Sequence, residues 1–146
     1  MRSFLTLALL LLLSLPAHAQ ELDWHDLEDA FAVADTTGRL VLVDVWAPWC
    51  GWCHKMKREV YPALASELRG AYVFTRLNRD DTRTRLRLHR RRASPLRLAQ
   101  QWGIDTVPGV VVLRPDGTVV LRATGFLTED DLRPALQAAA RKARGS

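Results

Sequence analysis

Leu40-Val41-Leu42-Val43-Asp44-Val45-Trp46-Ala47-Pro48-Trp49-Cys50-Gly51-Trp52-Cys53 joins two kinds of pattern in one stretch. Its first seven residues are apolar at every position but Asp44 and rich in valine, as in a central strand covered on both faces. Beyond Pro48, residues Cys53 to Leu68 read as a helix, with a break or kink expected at Pro62. The cysteines stand where strand gives way to helix. Free N–H groups at a helix start favour an anion, so a thiolate on Cys50 is expected to be stabilised, with a pKa below the free value of about 8.5. Two intervening residues hold both sulfurs close enough to pair. Cys50, at the mouth of the turn, is placed to attack a disulfide, and Cys53, one turn inward, to resolve the mixed disulfide. An inert stabilising bridge is a weak alternative, because so short a loop removes little unfolded-state entropy.

Upstream, Trp24, Leu27, Ala30, Phe31 and Ala34 recur at helical spacing, which predicts an amphipathic helix over Asp23 to Ala34, ended by Thr36-Thr37-Gly38. Downstream, Tyr72 to Leu77 reads as a second strand and Pro95 to Trp102 as a short helix stopped by Gly103. Val110 to Leu113 and Val119 to Leu121 flank Pro115-Asp116-Gly117 and form a hairpin. Thr128 followed by Asp131 is a capping box with Asp in place of Glu, ahead of a helix with Leu132, Ala135, Leu136 and Ala139 on one face. The early βαβ half predicts a parallel pair of strands and the hairpin adds antiparallel ones. The expected architecture is α/β, a central mixed sheet flanked by helices.

The stretch from Val43 to Cys53 resembles the active-site segment of the thioredoxin family. Trp102-Gly103-Ile104-Asp105-Thr106-Val107-Pro108 is similar to the family's segment ending in a cis-proline, and Val111 to Gly117 to the hairpin that follows it. The resemblance covers roughly Leu40 to Ala140 and implies a thioredoxin fold and a thiol–disulfide oxidoreductase with no bound cofactor and no metal. It implies that Cys50 attacks and Cys53 resolves. Asp44 would be the buried acid that moves a proton on or off Cys53. Pro108 would face the disulfide in cis, and Val107 would offer backbone bonds to an extended substrate. Trp49 would flank the exposed sulfur, with Gly51 and Trp52 as supporting residues between the cysteines. Arg76 falls where the family often has a lysine near that acid, and is expected here to be a solvated charge. Trp52 departs from ordinary cytosolic thioredoxins, which have proline there. The Trp49-to-Met56 context is closer to the exported, periplasmic thiol:disulfide interchange branch.

The same residues admit other chemistry. Cys50-x-x-Cys53-His54 is also the c-type haem attachment pattern of an electron carrier, with His54 as proximal ligand. Met56 is too near to serve as the distal ligand and Met1 lies in the leader, which leaves His25 or His89. The valine-rich strand and Val107-Pro108 have no role in that picture. Cys50, Cys53 and His54 also make an open-site metal ligand count, with no fourth ligand evident. A disulfide oxidase or isomerase is the remaining alternative.

The chain has 146 residues, two cysteines and a net charge of +5, enough for one ordinary domain and no disulfide-dense scaffold. Met1-Arg2-Ser3, the apolar run Phe4 to Leu15, Pro16 and the small-x-small site Ala17-His18-Ala19 form a secretory signal pattern over residues 1–19, ahead of a single domain over 20–146. Twelve helical residues span about 18 Å against a hydrocarbon core of about 30 Å, which disfavours an uncleaved anchor. Cleavage would remove Arg2 and leave +4. Between Arg76 and Arg97 nine arginines face only Asp80 and Asp81, so that segment carries +7 and the rest of the mature chain −3. Asp80 to Ser94 resembles an insertion before the cis-proline segment: a solvated loop, an exposed extended arm, or a docking surface over Arg83–Arg92 for an acidic partner or an anionic membrane. The sequence thus predicts an exported, monomeric periplasmic reductase of protein disulfides, recharged by a membrane or periplasmic redox partner and with no nucleic-acid role.

Overall fold

The computed structural model describes residues 21–145, so the signal pattern over residues 1–19 lies outside the described residues. The elements are β1 (Trp24–His25), α1 (Leu27–Thr37), β2 (Leu40–Trp46), α2 (Gly51–Lys55), a π-helical turn (Met56–Val60), α3 (Tyr61–Leu68), β3 (Tyr72–Asn78), β4 (Leu86–Leu88), β5 (Arg91–Ala93), α4 (Pro95–Gln101), β6 (Gly109–Leu113), β7 (Val119–Thr124) and α5 (Glu129–Arg144). Five strands form one sheet in the order β1-β3-β2-β6-β7. β1 and β2 run parallel to β3, whereas β6 is antiparallel to both β2 and β7. The sheet is mixed, as expected.

The alternation of side chains along β2 divides the core in two. Leu40 and Leu42 point to the face covered by the active-site helix and α5, where they meet Met56, Tyr61, Leu64, Leu132 and Leu136. Val41, Val43 and Val45 point to the other face and pack with Leu27, Phe31, Leu98 and Trp102 of α1, α4 and its end. Both sets are buried, which is why the strand is apolar at nearly every position. Asp44 shares the parity of Leu40 and Leu42, so its side chain faces the active-site helix.

Three sequence expectations change. Trp24 is not helical: it sits in a two-residue edge strand opposite Phe74, and α1 starts at Leu27 behind Asp26, whose backbone is extended. α1 also runs through Thr37 to a left-handed Gly38. The active-site helix starts at Gly51 and does not break at Pro62. The irregularity is the π turn just before it, where Tyr61 N–H bonds to Met56 O. A proline lacks the N–H for a regular ladder bond, so the wide turn falls just N-terminal to it. Finally, the Asp80 to Ser94 segment is neither a plain solvated loop nor a single extended arm. It contains a second antiparallel pair, with Leu86 opposite Ala93, Arg87 opposite Arg92 and Leu88 opposite Arg91. The Thr128–Asp131 capping box is present as read.

Candidate active site

β2 ends at Trp46, and Ala47-Pro48-Trp49 turns the chain, with Cys50 N–H donating to Ala47 O at 3.0 Å. Cys50 caps the helix in an extended conformation, and its Sγ accepts the Cys53 N–H at 3.1 Å. The two sulfurs are bonded, with their Cα atoms 5.3 Å apart. Cys50 is 5% exposed and Cys53 0%, so only the first can be reached from outside. An N–H on the sulfur is the kind of contact that helix starts offer to an anion.

Around the pair lies a small apolar rim. Trp49 is 67% exposed and Trp52 58%, the two most exposed large apolar side chains among the described residues. Trp49 is nonetheless oriented, because its Nε1–H donates to Asp80 Oδ2 at 2.7 Å. Trp52 leans on Phe126, ring centroids 4.8 Å apart. Val107 packs against Ala47, Cys50 and Cys53, and the Val107–Pro108 peptide is cis. The next residue must be glycine, since a Cβ at Gly109 would lie 2.4 Å from Ile104 Cγ2. At Gly51, by contrast, a Cβ would meet nothing within 4 Å.

Asp44 is fully buried on the side of the sheet that carries the active-site helix. Its Oδ1 accepts the Tyr61 hydroxyl at 2.9 Å and its Oδ2 accepts Arg76 Nε at 2.7 Å. Burial pushes the carboxyl above its ordinary range, and the Arg76 charge and both hydrogen bonds pull part of that back. Burial and the neighbouring carboxylate push the Tyr61 hydroxyl far above its own, so it remains a protonated donor. Arg76 is therefore not the solvated charge expected from sequence. Its side chain is 14% exposed and it lies over Trp46, 4.3 Å from the ring centroid, with Trp24 at 5.8 Å. One signal pointed to this pair: Asp44 and Arg76 are the lone charges of β2 and β3, and they sit directly opposite one another. No comparable signal marked Tyr61, which reaches Asp44 across the gap between helix and sheet.

The sequence-predicted residues thus come together: Cys50, Cys53, Trp49, Gly51, Trp52, Val107 and Pro108 at the surface end, Asp44 in the interior. His54 Nε2 is 2.8 Å from Pro48 O, its ring meets Trp46 at 5.8 Å, and the two sulfurs are joined to each other. His25 stands beside Asp23, and His89 meets Phe31 edge-on. Among the described residues no group of three His, Cys, Asp or Glu side chains is placed to hold a metal ion.

A family model described as a thioredoxin-like domain matches residues 27–140. Among curated proteins, thioredoxin of Chlamydia muridarum is 39% identical over 106 residues, 72% of this chain and 86% of that protein. Thioredoxin of Bacillus subtilis is 30% identical over 100 residues, 68% of this chain and 82% of that one. Among solved structures, a thioredoxin from Thermus thermophilus superposes with a TM-score of 0.68 at 22% identity, over 85% of this chain and 91% of that one. A DsbH oxidoreductase superposes at 0.66 and 16% identity, over 90% and 92%. At these identities the structural matches speak for the fold alone.

Proposed function

The chain belongs to the thioredoxin-like family and is a thiol–disulfide oxidoreductase; from that premise we propose that it is an exported, monomeric, periplasmic reductase of protein disulfides. The observation that supports the thiol exchange most is the asymmetry of the pair: Cys50, 5% exposed, with an N–H on its sulfur, and Cys53 wholly covered behind it. In the reduced protein the Cys50 thiolate attacks one sulfur of a substrate disulfide and expels the other as a thiolate. The Cys53 thiol then gives its proton to Asp44, attacks Cys50 Sγ, and releases the substrate's second sulfur. The substrate gains two electrons, and the protein is left with the Cys50–Cys53 disulfide until a membrane or periplasmic dithiol partner returns two electrons. Val107 and Pro108 border an extended substrate, and Trp49 and Trp52 give it apolar contact. The secretory signal pattern in the sequence of residues 1–19 supports export. N-terminal sequencing of the periplasmic protein is expected to start at Gln20.

Cys50→Ser is expected to abolish reduction of insulin disulfides, and Cys53→Ser to trap the mixed disulfide with its substrate. Full activity in Cys50→Ser would overturn the assignment. The reduction potential of the pair fixes direction. A value near thioredoxin's, about −270 mV, supports a reductase, whereas one near about −120 mV makes the protein an oxidant.

A further inference from the structure

The arginine-rich segment has no part in the thiol chemistry, yet its course is tied to the active site. It leaves the rim at Arg79, whose Nη1 donates to Asp105 O at 2.6 Å, and at Asp80, which accepts from Trp49. Its tip reaches the other end of the sheet. There the His89 ring lies 3.2 Å from where a Cβ of Gly117 would stand, in the β6–β7 turn. That turn follows Leu113, which is paired with Val41 at the start of β2. The β4–β5 ribbon therefore runs down the flank of the molecule, away from the disulfide.

The inner face of this ribbon is fixed. Leu86, Leu88 and Ala93 pack on the α1–α4 core, His89 meets Phe31 edge-on at 5.6 Å, and Glu28 Oε1 accepts the Arg87 N–H at 2.7 Å. A merely solvated loop needs no such anchoring. The other face holds guanidinium groups that form no ion pair among the described residues. Arg87 and Arg92 are cross-strand partners, an arrangement that like charges disfavour. Arg83, Arg85 and Arg90 are exposed beside them, and Arg91, the cross-strand partner of Leu88, is exposed at the edge of the inner face. None of the six is in an ion pair with a carboxylate of the described residues. The turn between the strands places His89 and Arg90 at φ 47° and 69°, a left-handed conformation that residues with a Cβ rarely adopt. Two local costs are thus kept in one ribbon, and an external anion would relieve the electrostatic one. All six cations are arginines, whose planar forks match carboxylates in pairs. Between the ribbon and α4 a groove of about 240 Å³, bordered by Leu98, Trp102, Arg91, Arg92 and, at the tip, Asp116, has room for an apolar side chain among those carboxylates.

We propose that the outer face of β4–β5 docks an acidic segment of the protein whose disulfide is reduced at Cys50. The inference rests on the reading of the protein as a reductase of protein disulfides. The segment that leads into the ribbon starts at Asp80, the residue that holds Trp49, so a substrate at the disulfide can reach the ribbon along it. From Asp80 to Arg87 an extended chain covers at most about 23 Å, so the acidic segment lies within about eight extended residues of the reacting cysteine, on either side of it.

The test compares two peptides that share one intramolecular disulfide and an eight-residue Gly-Ser linker, one ending in six glutamates and the other in six glutamines. With the reduced protein at low ionic strength, kcat/KM is expected to favour the glutamate peptide by about tenfold, with the advantage shrinking as salt is added. Arg87→Glu combined with Arg92→Glu is expected to erase that advantage and leave the glutamine peptide's rate unchanged. Equal, measurable rates for both peptides with the unaltered protein would overturn docking while leaving the reductase reading intact, and no reduction of either would overturn the reductase reading itself. A preference that survives the double substitution would overturn the assigned surface. Co-sedimentation with phosphatidylglycerol vesicles, without any peptide preference, would make the ribbon a lipid-binding face and defeat the proposal.

Discussion

Arg76 and Arg87 are the same residue type in two strands of one small protein, and they live under opposite rules. Arg76 lies in the central sheet, bonded to a fully buried Asp44 and covered by Trp46 and Trp24. Arg87 lies in a two-stranded ribbon on the flank, opposite Arg92, its guanidinium in no ion pair among the described residues. In the interior a charge must have its partner in the same molecule, because removing ions from water costs several kcal/mol each. On the surface water screens the charge, and the partner can be another molecule. The difference teaches that the arginines of this chain sort by what surrounds them, not by their spacing.

The sharpest way to break the comparison is to remove each cation. Arg76→Ala leaves Asp44 buried beside a lost partner and is expected to cost about 3–5 kcal/mol in urea unfolding. A loss under about 1 kcal/mol would show that the pair is solvated after all. A smaller effect separates the parts of the interior network. Tyr61→Phe removes one of the two hydrogen bonds to the Asp44 carboxylate, at about 1–3 kcal/mol. It also moves the pH dependence. Because burial holds the Asp44 pKa above its unfolded value, the folded state favours the protonated carboxyl. The stability that Asp44 contributes is thus complete below the ordinary carboxylate range and is lost as pH rises through the folded value. The resolving step needs the ionised form, so its rate climbs through that same raised pKa. Without the Tyr61 hydroxyl the charged form is less favoured, and the midpoint of the climb, followed by decay of a trapped mixed disulfide, moves to higher pH. An unmoved midpoint would remove Asp44 from the proton path. The smallest effect belongs to the ribbon: Arg92→Thr relieves the like-charge pair with Arg87 and is expected to stabilise the protein by about 0.2–1 kcal/mol. A loss of stability, read by the same urea titration, would mean that the ribbon has an internal counter-charge.

What the sequence could reveal follows the same division. β2 was legible to its ends because both faces are covered and nearly every position had to be apolar. The cysteine pair and the hairpin at Pro115-Asp116-Gly117 were legible because redox and turn chemistry each restrict residue type, whereas Val107-Pro108 was legible only through the resemblance to the thioredoxin family. β1 was missed because Trp24, Leu27 and Phe31 fall at helical spacing, although only the last two are helical, and a two-residue edge strand carries no period of its own. The β4–β5 pair was missed because its turn is His89-Arg90, not the Asn-Gly or Asp-Gly that left-handed turns usually carry. Tyr61 was missed because its partner lies across a gap between layers that linear spacing does not encode.

The wide turn at Met56–Val60 has a consequence for how this helix can change length. In a regular α-helix each residue advances by about 100°, so Tyr61, eight positions after Cys53, would stand about 80° away from it. The wide turn absorbs that surplus and brings a redox residue and an acid-binding residue onto one side of a continuous rod. Take one residue out of the turn, and a regular helix still keeps the two within about 20° of each other. Take one out between Tyr61 and Leu64, and Leu64 and Leu68 swing about 100° out of the core. The helix has one position to spare, and it lies between its two functional faces.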